Sequence, residues 1–144
     1  MALDGGGGGG GGPVGVANSF TGVAEQLEIA GNFAYAYSGA VEVPNSATDL
    51  LSFTTGNFTF VGRIYTGYCS QTLIVDDMTF GVFLNGALIS ARILDTSKEA
   101  SYNQLQYFTI IIPPYTEVLV QCTNVSSPTG RDMCAIMTGE IIRG

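Results

Sequence analysis

The sequence predicts an all-β protein: a single jelly-roll-like β-sandwich of about eight strands behind an extended glycine-rich N-terminal arm. Three observations carry this expectation. From about Phe33 onward, short apolar runs alternate with turn signals at regular spacing. Helical periodicity is almost absent. Ahead of these runs stands an uninterrupted block of glycine, Gly5 to Gly12, closed by Pro13. The expected division is an arm over residues 1–24 and a sandwich over residues 25–144.

The glycine block buries no side chain, and ordering it costs about 1–2 kcal/mol of backbone entropy per residue. Two uses fit such a segment. One is a flexible tether; the other is a thin arm that threads a crevice too narrow for side chains, or that bundles in a polyproline-II-like form.

The expected strands follow in order: Phe33–Val43, Asp49–Thr54, Asn57–Thr66, Met78–Asn85, Ala87–Leu94, Leu105–Ile112, Glu117–Thr123 and Met133–Ile142. Val23–Ala30 reads equally as a helical turn or a first strand. Between the runs lie Pro44-Asn45-Ser46, Thr55-Gly56-Asn57, Asn85-Gly86, Pro113-Pro114 and Ser126 to Gly130. Asn85-Gly86 is the strongest hairpin signal. Pro113-Pro114 cannot donate to a ladder, so a corner between strands is expected there.

Alternation assigns the faces. Val118, Val120 and Cys122 point one way and Glu117, Gln121 and Thr123 the other, with Leu119 breaking the polar side. By contrast, Phe58, Phe60 and Ile64 share one face while Val61 and Tyr65 occupy its reverse, and Tyr107–Ile112 is apolar on both. Strands of that kind need cover on two sides, and the second has to come from loops, the arm or a neighbouring subunit, of which the low charge favours the neighbour.

Composition points the same way. Apolar residues make up 46% of the 144 and charged residues 12%, about half the charged share of an ordinary soluble domain. No run approaches the length of a membrane helix, so the surplus apolar surface is expected to meet protein, and the chain to be a homo-oligomer without membrane contact. Twelve acidic against five basic residues give a net charge of −7. The basic residues, Arg63, Arg92, Lys98, Arg131 and Arg143, are scattered, the opposite of what a phosphate backbone requires, so no nucleic-acid partner is expected. Met-Ala-Leu-Asp followed by glycine lacks the pattern of a signal peptide, and cytosolic synthesis and folding are expected.

No catalytic chemistry stands out. Without histidine, Ser-His and Cys-His nucleophilic arrangements are excluded. Asp76-Asp77 and Asp132 could offer oxygen ligands to a hard cation, but adjacent aspartates in turns are ordinarily just solvated. Glycosidase acid pairs cannot be assigned from spacing. The glycine block satisfies G-x-G-x-x-G only trivially, since it follows no strand and opens no helix, and no Gly-Lys-Ser/Thr phosphate loop exists. Asn57-Phe58-Thr59 and Asn124-Val125-Ser126 match the glycosylation triplet but read as turn and strand polar residues. Cys69, Cys122 and Cys134 lack metal-ligand spacing and read as reduced thiols, with Cys122 and Cys134 inside strands. No enzyme activity, cofactor or metal is expected. Tyr35, Tyr37, Tyr65, Tyr68, Tyr102, Tyr107 and Tyr115 suit a sugar platform or a subunit interface; the absence of tryptophan favours interface or core.

The segments Ser19-Phe20-Thr21-Gly22, Phe33-Ala34-Tyr35-Ala36-Tyr37-Ser38-Gly39, Phe53-Thr54-Thr55-Gly56-Asn57, Ile111-Ile112-Pro113-Pro114-Tyr115-Thr116-Glu117-Val118 and Met137-Thr138-Gly139-Glu140-Ile141-Ile142-Arg143 together resemble small glycine-rich virion-associated proteins of tailed phages of aquatic bacteria. The resemblance spans nearly the whole chain. It implies a β-sandwich capsid decoration or fibre-like protein, commonly trimeric, and supplies no catalytic residues. The resulting expectation is a cement or minor capsid protein on the virion surface, made in the host cytoplasm, with the major capsid protein as partner. Its arm would contact the shell or a neighbouring subunit through Leu3, Asp4, Gly5, Gly8, Gly12, Pro13 and Phe20. Extended, the glycines span roughly 25 Å, enough to pass between subunits. The alternative is a tail-fibre or receptor-binding tip that touches a host glycan with the loops Tyr68–Asp77, Asp95–Gln104 and Ser126–Asp132. A trimeric sugar-active enzyme is disfavoured by the missing histidine.

Overall fold

A computed structural model describes residue 20 and residues 22–69, 76–94 and 106–143. Among these there is no helix. Ten strands form two antiparallel sheets: β1 (Glu28–Ala30), β2 (Phe33–Tyr37), β3 (Val41–Val43), β4 (Thr48–Thr54), β5 (Thr59–Tyr68), β6 (Met78–Leu84), β7 (Ala87–Leu94), β8 (Gln106–Ile112), β9 (Glu117–Asn124) and β10 (Arg131–Ile142). The larger sheet runs β1-β2-β10-β5-β8, with β3 also on β10, and the smaller runs β4-β9-β6-β7.

The pairing order is that of a jelly roll. β6 pairs β7, β5 pairs β8, β4 pairs β9 and β2 pairs β10. These are the nested rungs of one long hairpin, and assigning alternate rungs to opposite sheets rolls it into a sandwich. The tip of that hairpin is Asn85-Gly86, where φ is 51° and 82°, the left-handed pair that a two-residue type I′ turn requires. Pro113-Pro114 lies at the crossing from β8 in the larger sheet to β9 in the smaller. There the Thr55 hydroxyl accepts the Thr116 N–H at 2.8 Å, and the Thr116 hydroxyl donates to the Pro113 carbonyl at 2.8 Å. The corner is thus stitched by side chains where proline offers no N–H.

Two expectations change in detail. Phe33–Val43 is not one strand: it breaks after Tyr37, where the Ser38 N–H donates to Ala135 and the Ser38 hydroxyl accepts the Ala135 N–H at 2.9 Å. A serine side chain thereby stands in for backbone while Gly39 turns to the Gly22 carbonyl. Val23–Ala30 contains no helical turn; Ala24 bridges Leu51 in parallel and β1 closes the segment. Residues 22–24 therefore hydrogen-bond to the body, through Gly22 to Gly39 and Ala24 to Leu50 and Ser52.

The core lies between the sheets. Phe60, Ile64, Met133, Met137 and Ile112 from the larger sheet meet Leu51, Met78, Val118 and Val120 from the smaller, all completely buried. Alternation in β9 is as expected, with Val118, Val120 and Cys122 inward. Arg92 on β7 stacks over the Phe80 ring at 4.7 Å and donates across the sandwich to Thr66 of β5, at 3.1 Å to the hydroxyl and 2.6 Å to the carbonyl. A cation with a long apolar stem closes the gap between sheets on that side.

Candidate functional site

Among the described residues, the outer face of the larger sheet is the most distinctive surface. Cross-strand register places its side chains in rows. One row is Ala30, Phe33, Glu140, Val61 and Ile111; the next is Glu28, Tyr35, Thr138, Arg63 and Thr109; the third is Tyr37, Ile136, Tyr65 and Tyr107. Five aromatic rings thus share one face. Phe33 and Ile111 are 62% and 64% exposed, and Tyr107 and Ile142 are 53% and 58%, which is unusual company for a solvated sheet face. The sequence assigned Val61 and Tyr65 to the reverse of the Phe60 and Ile64 face and required cover for both sides. Within a single chain the described residues leave that second side open.

The two margins of this face differ in chemistry. At the β1–β2 margin, Phe20, Tyr35, Tyr37, Glu25, Gln26 and Glu28 help to line a groove of about 210 Å³. The Tyr35 and Tyr37 rings are 4.9 Å apart and Phe20 is 5.8 Å from Tyr37. Phe20 holds a left-handed backbone, φ 55°, and is half exposed. At the β5–β8 margin the Arg63 guanidinium sits over the Tyr107 ring at 4.6 Å, and Tyr107 stacks on Tyr65 at 5.1 Å. A hydrogen bond to the Tyr65 side chain, then the Tyr107 hydroxyl, push the Arg63 pKa further up. One margin is aromatic and acidic, the other aromatic and basic.

Of the arm residues expected to make contacts, Leu3, Asp4, Gly5, Gly8, Gly12 and Pro13 lie outside the described residues, and Phe20 is at the groove. Of the tyrosines, Tyr35, Tyr37, Tyr65 and Tyr107 gather on the one face, Tyr68 is buried, Tyr115 is exposed on the β8–β9 turn, and Tyr102 lies outside the described residues. Sequence reasoning did not single out Glu25, Gln26, Glu28 or Arg63. A signal existed for Arg63, the one cation within an otherwise uncharged strand.

Of the acidic candidates, Asp76 is engaged within the fold. The Asp76 Oδ2 accepts from the Arg131 Nε at 2.6 Å and from Asn124 Nδ2 at 2.9 Å. The Arg131 bond, together with the Asn124 bond, outweighs desolvation and holds the carboxyl below its ordinary value. Asn124 is completely buried and its Oδ1 accepts the Ser126 and Ser127 N–H groups, an Asx turn that rigidifies the loop before β10. Its triplet is a structural device and its amide has no room for a glycan. Among the described residues no cluster of three or more Cys, Asp or Glu could hold a metal ion, and no helix is long and apolar enough to cross a membrane. Cys122 and Cys134 are buried, and burial pushes each thiol up to about 12; Cys69 is exposed. Of the three loops expected at a receptor-binding tip, 126–132 is described in full, and residues 70–75 and 95–105 lie outside the described residues.

No family model matches the chain, and no curated protein matches it. Among solved structures it is similar to a family 35 carbohydrate binding module from an environmental isolate, with 17% identity and a TM-score of 0.39 over 86% of this chain and 88% of that one.

Proposed function

We propose that this chain is a structural protein of a virion, a capsid decoration or minor capsid protein that works as a homo-oligomer, trimeric by the resemblance drawn above, and engages the major capsid protein through its N-terminal arm. The observation that carries the reading is the exposure of large apolar side chains on both sheets: Phe33, Ile111 and Ile142 on the larger, Leu88 and Ile93 on β7 of the smaller. A subunit with one adhesive surface can pair; one with two can join its own copies and also a lattice. Each such side chain contributes about 1.5–3 kcal/mol when fully buried, so a few per subunit are enough to hold an assembly.

The test is the copy number per purified particle, by quantitative mass spectrometry against the major shell protein. Hundreds of copies support the reading; a few dozen or fewer favour a fibre or receptor-binding tip instead. Deleting Met1–Gly12 is expected to abolish binding to shells while the sandwich stays folded, and retained binding overturns the role given to the arm.

A further inference from the structure

The row that crosses the outer face at Glu28, Tyr35, Thr138, Arg63 and Thr109 carries opposite charges on its first and fourth strands. Neighbouring strands lie about 4.8 Å apart, so three strand steps separate Glu28 from Arg63 by about 14 Å. Between them the row is neutral. On the acidic side the aromatic groove opens beside Glu25 and Glu28; on the basic side Arg63 is exposed and braced by Tyr107. A groove of aromatic faces flanked by carboxylates is the chemistry that receives a guanidinium, through cation–π contact and charge together. The volume of about 210 Å³ accommodates one arginine head and stem.

From this complementarity we infer that the outer face of the larger sheet is the contact between copies of this chain, with Arg63 of one copy seated in the Phe20–Tyr35–Tyr37 groove of the next. Donor and acceptor patches sit at opposite margins of one face, so each copy offers both, and the pairing is satisfied repeatedly in a closed assembly. The same contact brings Phe33 and Ile111, in the adjacent row, out of water. It needs no shell and stands whether or not the chain belongs to a virion.

The test is sedimentation of the full chain, wild type and variants, over a concentration series. The wild type is expected to self-associate, and Arg63→Glu to weaken association about tenfold or more. Glu25→Arg with Glu28→Arg in one chain is expected to do the same. Mixing the two variants is expected to restore assembly, because each then supplies the partner the other lacks. Arg63→Lys, which keeps charge and ring contact, retains most of the association. Unchanged thermal unfolding of the dilute variants shows that they fold. A monomeric wild type overturns the inference, as does association indifferent to Arg63→Glu, or a full chain that stays monomeric while a variant lacking residues 1–19 associates, which would make the arm the occupant of this face. Tight binding of a neutral oligosaccharide by a monomeric chain, lost in Tyr35→Ala, overturns it in favour of a glycan site.

Discussion

Gly62 and Gly139 stand directly opposite each other in β5 and β10, and the Phe60 ring lies against both. A Cβ on Gly62 would meet Phe60 Cζ at 2.7 Å, and one on Gly139 would meet it at 2.9 Å, while each would also run into the backbone of the other strand. The pair lets a completely buried phenylalanine lie flat across the two longest strands. Backbone cannot move aside as a flexible side chain can.

Gly139→Ala and Gly62→Ala are therefore expected to destabilise the sandwich by about 1–3 kcal/mol each through overpacking. Denaturant unfolding of each variant checks this. The double variant should fall short of the sum, because both substitutions displace the same ring. Phe60→Leu, which frees the ring's space, should recover part of the loss.

Asp76 ties the start of β6 to β9 and β10 through Asn124 and Arg131. Its folded pKa lies below the unfolded one, so its contribution is fully present above the unfolded value and is lost as pH falls through the folded value. Urea unfolding from about pH 5 to about pH 2 should show the wild type losing an increment of stability that Asp76→Asn has already lost at neutral pH. Parallel curves for the two proteins would remove this pair from the acid response.

The cysteines differ in access. Burial keeps the Cys122 and Cys134 thiols protonated at neutral pH, and only the thiolate attacks an alkylating reagent. In the native protein iodoacetamide is expected to label Cys69 first, with Cys122 and Cys134 labelled only under denaturing conditions. Peptide mass spectrometry reads the order directly.

Most of the fold was legible because strands write themselves in period two. Ala87–Leu94 was placed to the residue, and the inward set of β9 followed from alternation alone. The break after Tyr37 was not legible, since it depends on Ser38 reaching Ala135, a partner 97 residues away. The aromatic face was half legible: alternation puts Tyr35 with Tyr37, and separates Tyr65 from Ile64, within their own strands. That all of these side chains share one surface with Arg63 and Glu28 follows only from strand order and register, which a single sequence does not contain.

The hairpin tip offers a cleaner test of local physics. Gly86 has φ 82° and nothing within 4 Å of where its Cβ would stand. A substitution there meets no neighbour, so any loss comes from backbone strain alone. Gly86→Ala is expected to cost about 1–2 kcal/mol. Asn85, at φ 51°, also accepts the Glu117 N–H through its side chain at 2.8 Å, so Asn85→Ala adds a lost hydrogen bond to the strain. Asn85→Gly relieves the strain but not the bond, and should fall between the wild type and Asn85→Ala in thermal unfolding. If Asn85→Gly unfolds no earlier than wild type, relief of the backbone strain at φ 51° fully offsets the lost side-chain bond to Glu117, and the dihedral preference dominates this turn.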